Sequence, residues 1–573
     1  MDRHELARIF NEIGTLLELQ GENPFKSRAY YNAARTIENL SADLEELLRE
    51  ERLAEIPGFG PAVIQKIKEW SQTGSIAYYE NLKSAIPSGL VELLGIPGLG
   101  PKKINQIHQA LGIDNLEELE AACAANRLAA LPGFGAKTQE KIAAGIGFFK
   151  EHRGEYLLFE AMAQALALRE RLAGHPLVER AEIAGSCRRC KEIVKDLDLV
   201  AGTPDPDGVI RFFNEFSEVA RVVAWGSTKS TVILRSGMQV DLRAVAPREF
   251  PHALQHFTGS KEHNTALRHL AKEQGYKVNE YGLFRGEETL YCPDEASIYE
   301  TLGLRYIAPE LREDRGELEA AAADRLPRLV EREQLRGLFH VHTTYSDGGG
   351  SLREMVLATR AKGYSYLGIS DHSQVAVYAH GLTREKLLLQ WAEIDRLQEE
   401  FPDFRIFKGI EADILPGGAL DYDAEILSRF DFVIGSIHSQ FRMSRAEMTQ
   451  RFLTALDNPY LTMLGHPTGR ILLGRPGYEV DLEAIIAKAA ERRVMIELNA
   501  NPYRLDLDWR WCRRAKEMGV MLAINPDAHS QSELDLARQS LPLARKGWLE
   551  AEDILNTRSA VAVAEILAKL KNR

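Results

Sequence analysis

The chain has 573 residues, is 45% hydrophobic and 27% charged, and carries a formal net charge of −12. That length exceeds what one hydrophobic core supports, and the composition is that of ordinary globular domains rather than a disordered or fibrous chain. No apolar run reaches the length of a membrane span, the start Met1–Glu5 lacks a signal-peptide pattern, and five scattered cysteines suggest reduced thiols, so a cytoplasmic protein away from membranes is expected.

From Glu5 to about Leu48 the apolar residues recur at helical spacing, with Leu6, Ile9, Phe10, Ile13, Leu16 and Leu17 on one face. A repeat follows. Ile56-Pro57-Gly58-Phe59-Gly60-Pro61, Ile96-Pro97-Gly98-Leu99-Gly100-Pro101 and Leu131-Pro132-Gly133-Phe134-Gly135-Ala136 are three copies of one pattern, each ahead of a lysine-bearing helix. They resemble helix-hairpin-helix motifs. The glycines Gly58, Gly60, Gly98, Gly100, Gly133 and Gly135 allow tight turns whose N–H groups point outward at a helix start, a device for holding DNA phosphates without reading bases. Three corners that merely pack are the plainer alternative. The negative net charge does not exclude DNA, because phosphate binding needs only local donors.

The central motif is Gly185-Ser186-Cys187-Arg188-Arg189-Cys190-Lys191-Glu192-Ile193-Val194-Lys195-Asp196-Leu197-Asp198-Leu199-Val200. In a strand, residues two apart share a face, so Asp196 and Asp198 converge while Leu197 and Leu199 enter the core. Adjacent carboxylates repel unless cations hold them, and the Gly-Ser turn and arginine forks ahead of them suit phosphate. Downstream, Ser230–Val245 reads as a hairpin turning at Ser236-Gly237, with Asp241 alone between Val240 and Leu242. A lone acid there is expensive to bury without a partner, which places it beside the other two. The local reading is nucleotidyl transfer with two metal ions. Cys187 and Cys190 form a C-x-x-C with no second pair nearby, and that spacing is incidental.

These residues resemble the palm of family X DNA polymerases, the polymerase beta-like group, over about the first 315 residues. The resemblance continues at His256-Phe257-Thr258-Gly259-Ser260, Asn264, Arg268 and Asn279-Glu280-Tyr281. It implies that Asp196, Asp198 and Asp241 are catalytic and hold Mg²⁺ or Mn²⁺. It further implies that Ser186 and Arg189 hold the triphosphate, and that Phe257, Gly259, Asn264 and Arg268 face the nucleotide. His256 stands where that family has a tyrosine. Lys66 falls on the family's deoxyribose-phosphate lyase position with Tyr30 beside it, although Ala62 replaces a phosphate-binding lysine there.

Beyond an alanine-rich segment the composition changes. Strands are expected near Phe339–His342, Tyr366–Ile369, Arg405–Gly409, Phe432–Ile437, Thr462–Gly465, Val494–Leu498 and Met521–Ile524, separated by amphipathic helices, the pattern of a parallel barrel. Polar residues gather at the strands' C-terminal ends: His340, His342, Asp347, His372, Glu411, His438, His466, Asp527 and His529. A mixed set of imidazoles and carboxylates there is read as a site for two or three divalent ions of the Mn²⁺, Zn²⁺ or Fe²⁺ kind, used in phosphoester hydrolysis. The pattern resembles the PHP (polymerase and histidinol phosphatase) domain, which implies a distorted (β/α)7 barrel with 3′→5′ exonuclease and, in some members, abasic-site endonuclease or 3′-phosphatase chemistry.

The expected architecture is therefore multidomain α/β. A helical lyase-like domain (1–85) and a helix-hairpin-helix subdomain (86–150) lead into a nucleotidyltransferase palm of α+β type (151–250) and a nucleotide-lid subdomain (251–315). A linker (316–336) joins these to the PHP barrel (337–573). The expected protein is a monomeric repair polymerase acting on gapped or nicked double-stranded DNA with dNTPs. One alternative is a DNA 3′-end nuclease or phosphatase whose polymerase half is a binding platform. Another is a small-molecule phosphatase, which the three hairpins disfavour.

Overall fold

The computed structural model describes residues 3–40 and 43–571; of the helical stretch expected from Glu5 to Leu48, residues 41 and 42 lie outside the described residues. The chain forms two compact units, Met1–Arg153 and Gly154–Arg573.

The first unit is all helical. Arg3–Leu19 packs against Pro24–Asn39, whose start is capped by the Asn23 side chain accepting from the Phe25 N–H at 2.9 Å. The apolar face expected from the sequence is buried, with Leu6, Phe10, Ile13 and Leu17 in a core that runs on to Ile146. Each glycine hairpin makes the same turn. Gly58, Gly98 and Gly133 sit at φ of +91°, +81° and +82°, and Gly60, Gly100 and Gly135 are the extended residues ahead of helices Pro61–Thr73, Pro101–Leu111 and Ala136–Glu151. None of those three helix starts has a side-chain cap; Pro61 and Pro101 bring no N–H, and the N–H groups of Ala62, Lys102 and Lys137 are the second-position donors left for an external acceptor.

The second unit begins with β1 (Tyr156–Leu157), which pairs with β3 (Ile193–Val194). The palm sheet has β2 (Arg180–Ile183), β4 (Asp196–Gly202), β7 (Gln239–Val245), β6 (Lys229–Leu234) and β5 (Val219–Trp225) in that spatial order. The β6–β7 hairpin turns through Gly237 at φ +88°. Helices Phe250–Thr258 and Lys261–Glu273 follow, with a ribbon of β8 (Lys277–Asn279), β9 (Gly282–Arg285) and β10 (Glu288–Leu290). The segment 316–336 is helical over Glu317–Ala322, and Glu317 and Leu318 are buried.

The remainder is a seven-stranded parallel barrel with strands in sequential order. They are β11 (Gly337–Val341), β12 (Tyr366–Ile369), β13 (Arg405–Asp413), β14 (Phe432–Ser436), β15 (Met463–Leu464), β16 (Met495–Asn499) and β17 (Leu522–Asn525). The last strand returns to the first, where His342 N–H donates to the Ala528 carbonyl at 2.9 Å. Phe339, Tyr366, Phe407 and Phe432 fill the interior, and a Cβ at Gly409 would lie 2.1 Å from the Phe432 ring. The barrel docks on the palm. Leu472, Leu505, Trp509 and Leu543 join the palm core, and Glu192 accepts from Trp509 Nε1 at 3.0 Å and Arg510 Nη1 at 2.8 Å.

Candidate active sites

In the palm, β4 presents Asp196 and Asp198 on one face while Leu197 and Leu199 are buried on the other. β4 runs parallel to β7, and the register seats Asp198 directly opposite Asp241. Gly185, at φ +61°, lets the preceding turn pass close by: a Cβ there would lie 2.0 Å from Asp198 Oδ2. Burial, then Asp196 and Asp241, push the Asp198 carboxyl up to about 7, and burial and Asp241 raise Asp196 too. Mutual repulsion of this kind is relieved by a shared proton or a cation. Asp241 is held by β6, accepting from the Thr231 hydroxyl and lying 3.2 Å from Lys229 Nζ. The three acids share a face but do not close as tightly as the barrel ligands do; among the described residues, the groups of three or more ligating side chains within 4.8 Å of one another are all in the barrel.

Around the acids, Ser186 is half-buried in the turn and Arg243 lies over the Phe257 ring, 4.8 Å from its centre. Asn264 is buried, donating to the His256 carbonyl at 2.7 Å and accepting from Gln255 Nε2 at 2.8 Å, and Arg268 reaches His256 Nδ1 at 3.0 Å. Arg189 is buried. It donates to the Thr258 carbonyl and, through Nε at 3.0 Å, to Glu313, while its Nη1 lies 3.0 Å from where a Gly259 Cβ would stand. Glu313 in turn accepts from Lys546 of the barrel at 2.6 Å. Arg188 donates to Thr258 Oγ1 at 2.7 Å and to both Glu295 oxygens, and Glu295 also receives the buried Arg312. Sequence reasoning missed Glu295, Arg312, Glu313 and Lys546 as supports of this region. They meet only in three dimensions, and no local pattern marks them.

In the helical unit Lys66 is half-buried between two rings, 4.4 Å from the centre of Tyr78 and 5.5 Å from that of Tyr30, and burial holds its pKa below the usual lysine range.

The barrel brings all nine side chains named from its sequence into overlapping groups: His342, Asp347, His372 and His529; His340, His466 and Asp527; His340, His342 and Glu411; His372, Glu411 and His438. Three of them, His340, His466 and Asp527, have positive φ (+56°, +25° and +52°), backbone strain that the surrounding strands hold in place. Burial works against protonating His438 and His529, but Glu411 and Asp413 push the first up to about 10, and Asp347 and Asp527 the second to about 9. His342, buried and facing His529 and His372, is driven down to about 3. The basin is thus strongly cation-attracting, and it keeps His342 neutral as a ligand must be. His340 Nε2, both His342 ring nitrogens, His466 Nδ1 and Glu411 Oε2 are buried without a hydrogen-bond partner. Orphaned donor atoms from several strands around one basin fit a set of metal ions.

Behind the ligands, Glu497 is fully buried. It lies 2.6 Å from His340 Nδ1 and accepts from His466 N–H at 2.8 Å, while Asp413 lies 3.1 Å from His438 Nδ1 and Arg504 Nε 3.4 Å from Asp527. Such partners fix ring orientation and tautomer. Sequence reasoning missed them, although Glu497, a lone acid inside the apolar run Met495–Leu498, carries the same signal as Asp241.

A carboxylate-faced palm joined to a many-ligand barrel defines a two-centre, metal-dependent phosphoester enzyme. Family models agree part by part: a helix-hairpin-helix domain over residues 1–76, a SAM-like helix-hairpin-helix tandem over 90–147, the DNA polymerase beta thumb over 253–313 and the PHP domain over 339–501. The DNA polymerase/3′-5′ exonuclease PolX of Bacillus subtilis is 40% identical over 573 residues, covering 99% of this chain and 100% of its own. The chain belongs to that PolX family of family X polymerases carrying a PHP domain. A probable phosphatase of Thermoanaerobacter is 27% identical over 38% of this chain and 89% of its own. A Leishmania infantum polymerase beta ternary complex matches at 23% identity and TM-score 0.26, covering 39% of this chain and 99% of its own. Among the described residues, no helix is long and apolar enough to cross a membrane.

Proposed function

We propose that the chain is a DNA-directed DNA polymerase that fills short gaps during repair and trims 3′ ends with a separate 3′→5′ exonuclease centre. The observation that carries this is the presence, in one chain matching a PolX end to end, of both the Asp198–Asp241 register and the convergent barrel ligands. In the palm, Asp196, Asp198 and Asp241 would hold Mg²⁺ or Mn²⁺. In the barrel, His340, His342, Asp347, His372, Glu411, His438, His466, Asp527 and His529 would hold two or three ions of the Mn²⁺, Zn²⁺ or Fe²⁺ kind. Bound there, such ions supply charge neutralisation at phosphate and acidify the attacking hydroxyl or water.

The chain's own residues do the positioning. Thr231 and Lys229 fix Asp241, and Arg188 and Arg189 tie the Ser186 turn to Thr258, next to Gly259. With Phe257, Asn264 and Arg268 these groups form the proposed nucleotide pocket. Glu497 and Asp413 hold His340 and His438 as acceptors facing the basin. The six hairpin glycines present N–H groups to the backbone of gapped or nicked DNA, and the working form is a monomer. Lys66, with its pKa lowered by burial between two tyrosines, suits Schiff-base chemistry on an opened abasic sugar. The probable-phosphatase relatives support 3′-phosphatase activity at the same barrel centre, where abasic-site endonuclease chemistry would use the same ligands.

The test is incorporation of a labelled dNTP across a short gap in Mg²⁺, alongside counting of tightly held metal. Asp241→Ala should lose incorporation and keep its barrel metal, whereas His466→Ala should do the reverse. Incorporation surviving Asp241→Ala would refute the palm assignment.

A further inference from the structure

The loop between β12 and the helix Arg384–Glu400 raises an apolar tip at the rim of the barrel basin. Its stem is braced. Leu382 N–H donates to the His372 carbonyl at 2.9 Å, Val375 N–H to the Asp421 carboxylate at 2.7 Å, and Lys386 Nζ to the His380 carbonyl at 3.0 Å. At Gly381 a Cβ would lie 1.9 Å from the Ser373 carbonyl oxygen, so the stem closes only on glycine. The tip is nonetheless bare, with Val377 79% and Tyr378 67% exposed. The Tyr378 ring centre is 6.0 Å from that of His372 and 6.3 Å from that of His438, two of the convergent ligands.

A rigid stem that holds an aromatic ring and a valine in water beside a charged basin supplies what the basin lacks, a flat apolar surface. Nucleobases stack on such surfaces whatever their identity. The reach from a nucleotide's phosphate to its base is comparable with the separation between the ring and the ligands. A base inside a duplex is already stacked and paired, whereas an unpaired terminal base is free to use the surface.

Resting on the exonuclease reading above, we propose that Tyr378, flanked by Val377, is the platform on which the base of an unpaired 3′-terminal nucleotide stacks while its phosphodiester lies over the ligand cluster. It is thus a specificity-determining residue that favours frayed or mismatched ends over paired ones.

The test uses the full-length enzyme and three primer duplexes: a matched 3′ end, a mismatched 3′ end, and the same end with a baseless tetrahydrofuran residue. Tyr378→Ala should raise KM on the mismatched end by about tenfold with kcat within about twofold, and Tyr378→Phe should behave as wild type. The baseless end should be indifferent to both substitutions. In EDTA, binding should quench a 3′-terminal 2-aminopurine with wild type and Tyr378→Phe, and fail to do so with Tyr378→Ala. An unchanged KM and quench in Tyr378→Ala, or an equal KM rise on the baseless end, would overturn the platform. Wild type that shortens none of the three duplexes would instead defeat the exonuclease reading, and the platform with it.

Discussion

Gly185→Ala tests the palm geometry without replacing a charged group. At φ +61° an alanine adopts a left-handed conformation that costs about 1–2 kcal/mol. The new methyl would stand 2.0 Å from Asp198 Oδ2, whereas ordinary contact begins at 3.4 Å, so the turn or the carboxylate must give by about 1.4 Å. The carboxylate is the softer of the two, because β4 is held between β2 and β7. Misplacing a catalytic group by about 1 Å costs on the order of 10²-fold in rate. Steady-state dNTP incorporation on a gapped duplex should therefore fall by about 10²-fold in kcat/KM, while shortening of single-stranded DNA stays within about twofold of wild type. A melting temperature lowered by only a few degrees would show that the loss is local. Incorporation within about twofold of wild type would refute the claim that Gly185 holds the turn clear of Asp198.

Glu497→Gln should lower barrel metal affinity and 3′-end shortening by about 10–100-fold and leave dNTP incorporation unchanged, as read by metal analysis and parallel assays. Lys546→Met leaves Arg189 as the remaining close cation on Glu313 and should destabilise the second unit by about 1.5–3 kcal/mol in urea unfolding, with much of the loss recovered when Glu313→Gln is added. In EDTA, Asp198 keeps its proton up to about pH 7 in the fold but ionises near 3.8 when unfolded. The native state then binds more protons across that window, so stability should fall as pH rises from about 4 to about 7, and Asp198→Asn should flatten the slope in urea midpoints. Borohydride should trap an incised abasic strand on wild type and not on Lys66→Ala; equal trapping would exclude a Lys66 Schiff base.

Much of the architecture is legible because short-range rules decide it. The Gly-x-Gly hairpins need positive φ at their first glycine, which is where Gly58, Gly98 and Gly133 have it. A two-residue period leaves one reading of Asp196 and Asp198, and burial cost brings Asp241 to the neighbouring strand. The barrel strands are recognised by their apolar runs, and Tyr366–Ile369 has the bounds expected of it. What stays hidden is set by distant pairing. Lys546 bonds to the Arg189 carbonyl across 357 positions and Glu497 to His340 across 157, and although Glu497 stands out as a lone acid in an apolar run, nothing near either residue names its partner. For the same reason the sequence shows Arg189 but not Glu313 and Thr258, the partners that orient its guanidinium in the fold.

The central claim, that one chain builds and cuts phosphodiesters at two separate centres, is tested most directly by measuring extension with dNTPs and shortening without them on a single gapped duplex. The enzymes to compare are wild type, Asp198→Ala and His342→Ala. Asp198→Ala should lose extension alone and His342→Ala shortening alone. Loss of both activities in either variant, at unchanged thermal stability, would contradict it.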